Sequence, residues 1–394
     1  MRTIRPLDIL NPSAFFIAYY VFYILLVLFL DAFISNGLIR FNVRYETYFI
    51  SFLFVSVFAF SSYIITPFIF KYQPKKIREI EFDINIRRVM FVSIFLVFFC
   101  LIIHFIYFFI IGFIPAFHDS VGLVRISAKK GFGGLLLLAT GAGYAGALLL
   151  SGIYSHISLI KKIIIITLVV LSSLCIAGTG FRGPAAYLIL LFLLSSFFCS
   201  AHYVYRNRIP IRLVLFLLFF ILFLSVVDYL RYGNDFSIDA LQQIIWTLTV
   251  NVYNLNNIVD GLIGGKLDYL YGYSFISDAL MVFPGQRGEF LGVTLVNQLN
   301  LSFEGEGMTV TAPGEAFINF GYIGVFLYAL LIGILSEILF KYFISNNKTS
   351  SIVILTFVSL SFAKFVVAGI MPTIIFTFLP VLLFLIPSIL WCKQ

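Results

Sequence analysis

Two short stretches of this 394-residue chain pair reactive or anion-binding side chains with glycines that open access to them. The first is Gly178-Thr179-Gly180-Phe181-Arg182-Gly183-Pro184. Arg182 carries a planar fork of donors matched to phosphate oxygens. The glycines beside it let backbone N–H groups face a ligand, and Pro184 suits the first turn of a helix, where its missing N–H costs nothing. A helix N-terminus favours an anion. The chemistry implied is a site for a lipid phosphate or diphosphate. The plainer reading is a tight hairpin with a snorkelling arginine.

The second stretch is Thr311-Ala312-Pro313-Gly314-Glu315-Ala316-Phe317-Ile318-Asn319-Phe320-Gly321-Tyr322-Ile323-Gly324. In a continuous helix Glu315, Asn319 and Tyr322 stand at i, i+4 and i+7 and share one face. A carboxylate in the first turn is favoured by the dipole alone. An amide and a phenol below it are not needed for capping, and they read as a polar pocket wall. Gly321 and Gly324 would permit close helix approach. Glu315 is the expected base or sugar-binding carboxylate.

Other candidates are more scattered. Arg125, Arg231 and Arg287 could converge with Arg182 on one anion, and Glu289 stands two residues beyond Arg287 in another glycine-flanked turn. His118-Asp119 could form an acid–base pair, although adjacent residues seldom do. Lys364 lies inside an apolar run, where an ionisable residue is a site hypothesis by default. His104 reads as a packing residue. No His, Asp and Glu spacing suits a metal, so no metal and no cofactor is expected.

The elements that must position these residues are set by composition. The chain is 61% hydrophobic and 11% charged, with a mean hydropathy of +1.05. A soluble fold of this size would lack polar surface to cover itself. Ten apolar runs of transmembrane length emerge: 12–34, 46–70, 89–112, 131–155, 163–178, 184–201, 213–230, 313–340, 351–369 and 372–392. The fold expected is an all-α polytopic membrane protein. Ala139, Gly143, Ala147 and Ser151 form a small-residue packing stripe on the fourth run. The four cysteines have no CxxC or metal pattern and read as packing residues. With the N-terminus inside, sixteen Lys and Arg fall on inner segments and nine on outer ones, which places both termini in the cytoplasm. The net charge of +8 is then anchoring to the membrane surface and implies no nucleic acid.

Residues 1–230 are thus expected to hold seven spans, 231–312 one large outer loop, and 313–394 three further spans. From Asp228 to Glu315 there are ten acidic residues against Arg231, Lys266 and Arg287. Apolar positions at three- and four-residue spacing predict an amphipathic helix from about Ser237 to Val259. Residues 261–292 are rich in Gly, Tyr and Asp and are expected to be irregular. No phosphate-binding loop motif for a nucleotide appears, so a reaction would use an already activated substrate on the outer face.

A Thr-Gly-x-Arg-Gly turn at Thr179–Gly183, a long outer loop, and Pro-Gly-Glu-x-x-x-Asn-Phe-Gly-x-x-Gly at Pro313–Gly324 together resemble the Wzy family of O-antigen polymerases. The resemblance runs in outline from Pro115 to Gly333. It implies a metal-independent, GT-C-like glycosyltransferase of a bacterial inner membrane. Its substrate would be an undecaprenyl-diphosphate-linked oligosaccharide at the periplasmic face. A chain-length-regulating co-polymerase of the Wzz type and membrane lipid are the implied partners. Arg182, with Arg287 and Arg125, would bind diphosphate. An arginine followed by ten residues and a glycine, described in some members, is absent here, since position 193 is Leu.

In the mechanism this implies, cations stabilise the departing diphosphate and a base receives the acceptor hydroxyl's proton. Glu315 is the expected base and Glu289 its reserve. Arg231, Asn319, Tyr322, Lys364 and His118 are the expected substrate contacts. An O-antigen ligase and a lipid-linked glycan flippase or transporter are the rival readings. A transporter would place more charge inside its spans than Lys364 alone.

Overall fold

The computed structural model describes residues 10–33, 42–70, 81–118, 131–200, 238–281, 290–301, 308–346 and 348–393, together with positions 124 and 128. Side chains are not described at Arg182 and at positions 238–248. Among these residues eight helices are long and apolar enough to cross a membrane. They are α1 (Pro12–Asp31), α2 (Tyr45–Ile69), α3 (Ile86–Ile111), α4 (Gly133–His156), α5 (Leu159–Gly178), α10 (Ala312–Ser345), α11 (Thr349–Ala368) and α12 (Ile370–Cys392). A shorter apolar helix, α6 (Arg182–Cys199), follows α5. The outer segment contributes α7 (Ile238–Ile263), α8 (Tyr273–Leu280) and α9 (Leu291–Leu299). The chain is a multi-pass, all-helical membrane protein. Eight of the ten expected spans coincide with these membrane-length helices, the one expected at 184–201 coincides with the shorter α6, and the one expected at 213–230 lies outside the described residues.

α4 is the hub. Its faces are buried nearly all round, whereas α1, α3 and α5 expose most of theirs. Lipid is as apolar as leucine, so helices in a membrane associate through close packing at small residues. The sequence of α4 meets that need. A Cβ on Gly143 would lie 2.9 Å from Cys100 Sγ, and one on Gly141 would lie 2.5 Å from Pro380 Cβ. Ala139, Ala147 and Ser151 of the stripe are likewise buried, and Ser151 donates to Ser195 Oγ of α6 at 2.6 Å. His104 is buried, with its ring nitrogen 2.8 Å from the Cys100 carbonyl one turn back. All four cysteines are buried and unbridged.

Successive helices run in opposite directions, so the connections fall at two ends. One end is closed by backbone pairings of Glu81 with Lys348 and of Ile84 with Lys393. Arg87, Arg88, Lys161, Lys162, Lys341, Lys348 and Lys393 lie at this end. The opposite end holds the α5–α6 turn, the α11–α12 turn, the start of α10, and helices α7 to α9. Its described basic residues are Arg44, Arg182 and Lys266. Among the described residues, seven Lys and Arg thus lie at the first end and three at the second.

The amphipathic helix is α7, and its apolar residues Val252, Leu255, Ile258 and Val259 are buried. They pack against α1, α2 and α10, and the polar positions provide ties. Asn256 Oδ1 accepts from Arg44 N and Thr47 Oγ1, each at 2.9 Å. Asn254 Nδ2 donates to Thr309 Oγ1 at 2.9 Å, and Arg44 pairs with Asp260. The described residues between 261 and 281 are more regular than expected. α8 lies within them, because Ser274, Ser277 and Asp278 are buried against the bundle and a packed face stabilises a short helix.

The packing of α4 yields a stability prediction. Gly141→Ala should lower the thermal unfolding temperature in detergent by an amount equivalent to about 1–3 kcal/mol, because overpacking forces the neighbouring backbone to move. Gly133→Ala, where a new Cβ meets nothing within 4 Å, should leave it unchanged. Equal effects at the two positions would contradict the hub role of α4.

Candidate functional site

The first motif closes α5 and opens α6. Gly180 has φ of 88°, a conformation in which a Cβ would be strained. Its N–H donates to Ala177 O at 2.8 Å. Thr179 is buried, and its hydroxyl donates to Ile176 O at 2.7 Å. Phe181 is extended, and Arg182 is the first residue of α6. A Cβ built on Gly183 would meet nothing within 4 Å. The turn is thus fixed from beneath by Thr179 and Gly180 and open on the side of Gly183. The carbonyls of α6's first turn are pinned, with Tyr144 Oη donating to Pro184 O at 2.8 Å and Ser173 Oγ donating to Ala185 O at 3.1 Å.

The second motif differs from a straight helix. Phe320 (φ −142°) and Gly321 (φ 60°, ψ −148°) break α10 after two turns. Glu315, Asn319 and Tyr322 therefore do not share a face. Glu315 and Asn319 are fully buried, whereas Tyr322 is 43% exposed and packs edge-on against Phe49 and Phe317. Gly321 supplies the positive φ. A Cβ on Gly324 would lie 2.3 Å from Ala316 O of its own helix, so this glycine permits the kink and not the approach of another helix.

The break frees carbonyls that the outer segment uses. Leu270 N donates to Ile318 O at 3.0 Å, and Tyr271 N donates to Asn319 O at 3.1 Å. Asn319 Oδ1 accepts from Gly272 N at 2.9 Å, and Asn319 Nδ2 donates to Ser274 Oγ at 2.8 Å. The expected pocket wall is in part a loop anchor.

Glu315 is held in the same spirit. Gly369 (φ 80°, ψ 169°) separates α11 from α12. The first two amides of α12 donate to the Glu315 carboxylate, Ile370 N to Oε2 at 2.5 Å and Met371 N to Oε1 at 3.1 Å. A Cβ on Gly369 would lie 3.0 Å from Oε2 and 2.8 Å from Val310 O. The carboxylate meets no solvent in this geometry, because both oxygens are spent as a cap on a helix of another part of the chain. The base expected there is thus not presented to an acceptor.

Lys364 lies on α11, five residues before this turn. Its Nζ donates to Thr377 Oγ1 at 2.6 Å and sits 5.5 Å from the centre of the Tyr187 ring. Tyr187 Oη is 2.7 Å from Ser361 Oγ, and the Tyr144 and Tyr187 rings meet edge-on at 5.3 Å. A continuous chain of contacts thus joins the Arg182 turn to Lys364 and, along α11, to the Glu315 cap. Tyr144, Tyr187 and Thr377 escaped the sequence reading. Tyr187 lies five residues beyond Arg182, which was a usable signal. Thr377 lies in a π-helical segment, Ile374–Phe378, whose register no periodicity announces.

His118 is exposed at the same end, against Phe113. Asp119, Arg125, Arg231, Arg287 and Glu289 lie outside the described residues. Among the described residues no three His, Cys, Asp or Glu gather as a metal ligand set. Asp278 is buried on α8. It accepts from Leu291 N at 3.2 Å, and among the described residues its Oδ2 has no hydrogen-bond partner. Burial pushes its carboxyl up to about 6. The fold defines a multi-pass helical membrane protein with a glycine-bounded turn at one end. No protein-family model, no curated protein and no solved structure matches the chain.

Two predictions follow from these contacts. Replacing Glu315 by Leu orphans two buried amides, at ~1–3 kcal/mol each. Glu315→Leu should therefore unfold well below the parent in detergent, and Glu315→Gln, which keeps an acceptor, should fall between them. A Leu variant as stable as the parent would contradict the cap. For Asp278 the folded state holds its proton more tightly than the unfolded chain does. Its contribution is thus greatest below pH 3.8 and is lost as pH rises through about 6. Asp278→Asn should flatten that part of a melting-temperature profile and raise stability above it. An unchanged slope would argue against a buried acid.

Proposed function

We propose that this protein polymerises undecaprenyl-diphosphate-linked oligosaccharide repeat units at the periplasmic face of a bacterial inner membrane, as a metal-independent glycosyltransferase resembling the Wzy polymerases. The observation that carries the reading is the meeting of the two motifs at one end of the bundle. The open Arg182–Gly183 turn and the Glu315-capped start of α12 are linked through Tyr144, Tyr187 and α11. That end is poorer in Lys and Arg than the other, as an outward face is.

The bond to be broken joins an anomeric carbon to diphosphate. The leaving group needs cationic stabilisation more than an acid. Arg182, at the first position of α6, offers its guanidinium together with the helix N-terminus. Arg287 and Arg125 are the further cations proposed. Arg231, His118, Asn319 and Tyr322 are assigned to substrate contact, Asn319 through the loop that it anchors at Gly272 and Ser274. The proton of the acceptor hydroxyl needs a carboxylate that reaches the substrate. Since Glu315 is spent on capping α12, Glu289 takes that part, and Glu315 positions the turn. A Wzz-type regulator is the proposed partner.

The test is the lipopolysaccharide ladder of a deletion strain carrying variants. Deletion should leave core plus one repeat unit. Core alone would point instead to a ligase or a flippase. Arg182→Lys keeps the charge and loses the fork, so it should reduce long polymer at least tenfold at equal protein level. A near-normal ladder from Arg182→Lys would remove the phosphate clamp.

A further inference from the structure

Lys364 is an ammonium within a membrane span, and among the described residues no carboxylate pairs with it. Its nearest polar atom is the neutral hydroxyl of Thr377, and its nearest ring is Tyr187. A cation in an apolar span without a counter-charge is costly, and such residues face a bundle interior or a polar cavity and mark a ligand path. The surroundings are built to hold it. Thr377 is buried and belongs to the π-helical segment Ile374–Phe378. The extra residue of a π turn shifts the register of α12, and π-bulges recur at functional sites. Tyr187 is fixed through Ser361 and packed against Tyr144, so its face is presented to the ammonium at a distance suited to a cation–π contact.

As a residue Lys364 is of intermediate burial. Five residues separate Lys364 from Gly369, and five separate Tyr187 from Arg182, about 7.5 Å in each case at ~1.5 Å per residue. The ammonium therefore sits about one and a half turns beneath the Arg182 turn, where Tyr187 of α6, Lys364 of α11 and Thr377 of α12 meet. A lysine can extend its stem toward an interface while its base stays in the apolar layer. Neither the hydroxyl nor the ring supplies a counter-charge, which leaves that part to an anion arriving from the membrane side.

We infer that Lys364, positioned by Thr377 and Tyr187, is the inner anion subsite of a prenyl-diphosphate-binding notch and takes the phosphate attached to the lipid. This rests on the proposed function and deepens it: Arg182 would hold the group from outside and Lys364 from within. A free diphosphate would need no cation below the turn, whereas a lipid-anchored one brings its phosphate and chain in from the side.

The test is binding to the purified full chain in lipid nanodiscs, read by native mass spectrometry. Undecaprenyl diphosphate, inorganic diphosphate and phosphatidylglycerol are the three probes. The parent should prefer the prenyl diphosphate. Lys364→Met, which keeps length and removes charge, should weaken that binding at least tenfold with no loss of thermal stability. Lys364→Arg should restore most of it, and Thr377→Val should weaken it a few-fold. Binding by Lys364→Met within twofold of the parent overturns the subsite and leaves the proposed function standing. A parallel loss of phosphatidylglycerol would make Lys364 a general anchor for anionic lipid and also overturn it. An equal loss of inorganic diphosphate would place the subsite on the free anion and overturn the lipid assignment. Failure of the parent to bind prenyl diphosphate would instead defeat the proposed function.

Discussion

Backbone N–H groups inside a membrane must find partners within the protein, because lipid offers none and each orphan costs several kcal/mol. The end of this protein that holds the Arg182 turn is organised around two places where that rule is under strain. At Gly369 the chain turns from α11 into α12 and leaves two amides without helical acceptors. At Phe320–Gly321 the kink in α10 leaves two carbonyls without helical donors. Glu315 answers the first, and the loop at Leu270–Tyr271 answers the second. Five residues separate Glu315 from Phe320, so one short piece of α10 fastens both α12 and the outer segment. The Arg182 turn reaches the same place through Tyr144 and Tyr187. Irregular backbone at membrane depth is tolerated where it lines a cavity or is buried in protein, and both of these breaks lie at the end that holds the Arg182 turn.

The helices were legible in the sequence because lipid imposes a length and a composition on each span independently of its neighbours. α4 was legible as a packing helix because its small residues recur on one face, although its burial all round was not. The amphipathic character of α7 was legible in its spacing. What it packs on was not, because a helix at a membrane surface and one laid over a bundle show the same apolar stripe.

The site was legible as residue types and only partly as geometry. Glu315, Asn319 and Tyr322 are evenly spaced, and even spacing speaks for one face only while the helix continues. The glycine that made the motif conspicuous is the residue that breaks it. Glu315 reads as a base or sugar-binding carboxylate because an amide and a phenol follow it at helical spacing. The partners that justify its burial, the amides of Ile370 and Met371, lie 55 and 56 residues away in sequence, and no local pattern connects them. Thr377 was hidden for a similar reason, since a π segment changes which residues face inward without changing their hydropathy.

The central claim concerns a reaction, so the most direct measurement follows product. Purified protein in nanodiscs would be incubated with undecaprenyl-diphosphate-linked repeat units and no other sugar donor, and the glycans resolved by size. The account predicts a ladder rising by one repeat unit per rung, formed in the presence of a metal chelator and lost in Arg182→Lys. Repeat units that stay single with the unaltered protein, under conditions in which the lipid-linked substrate is bound, would contradict it.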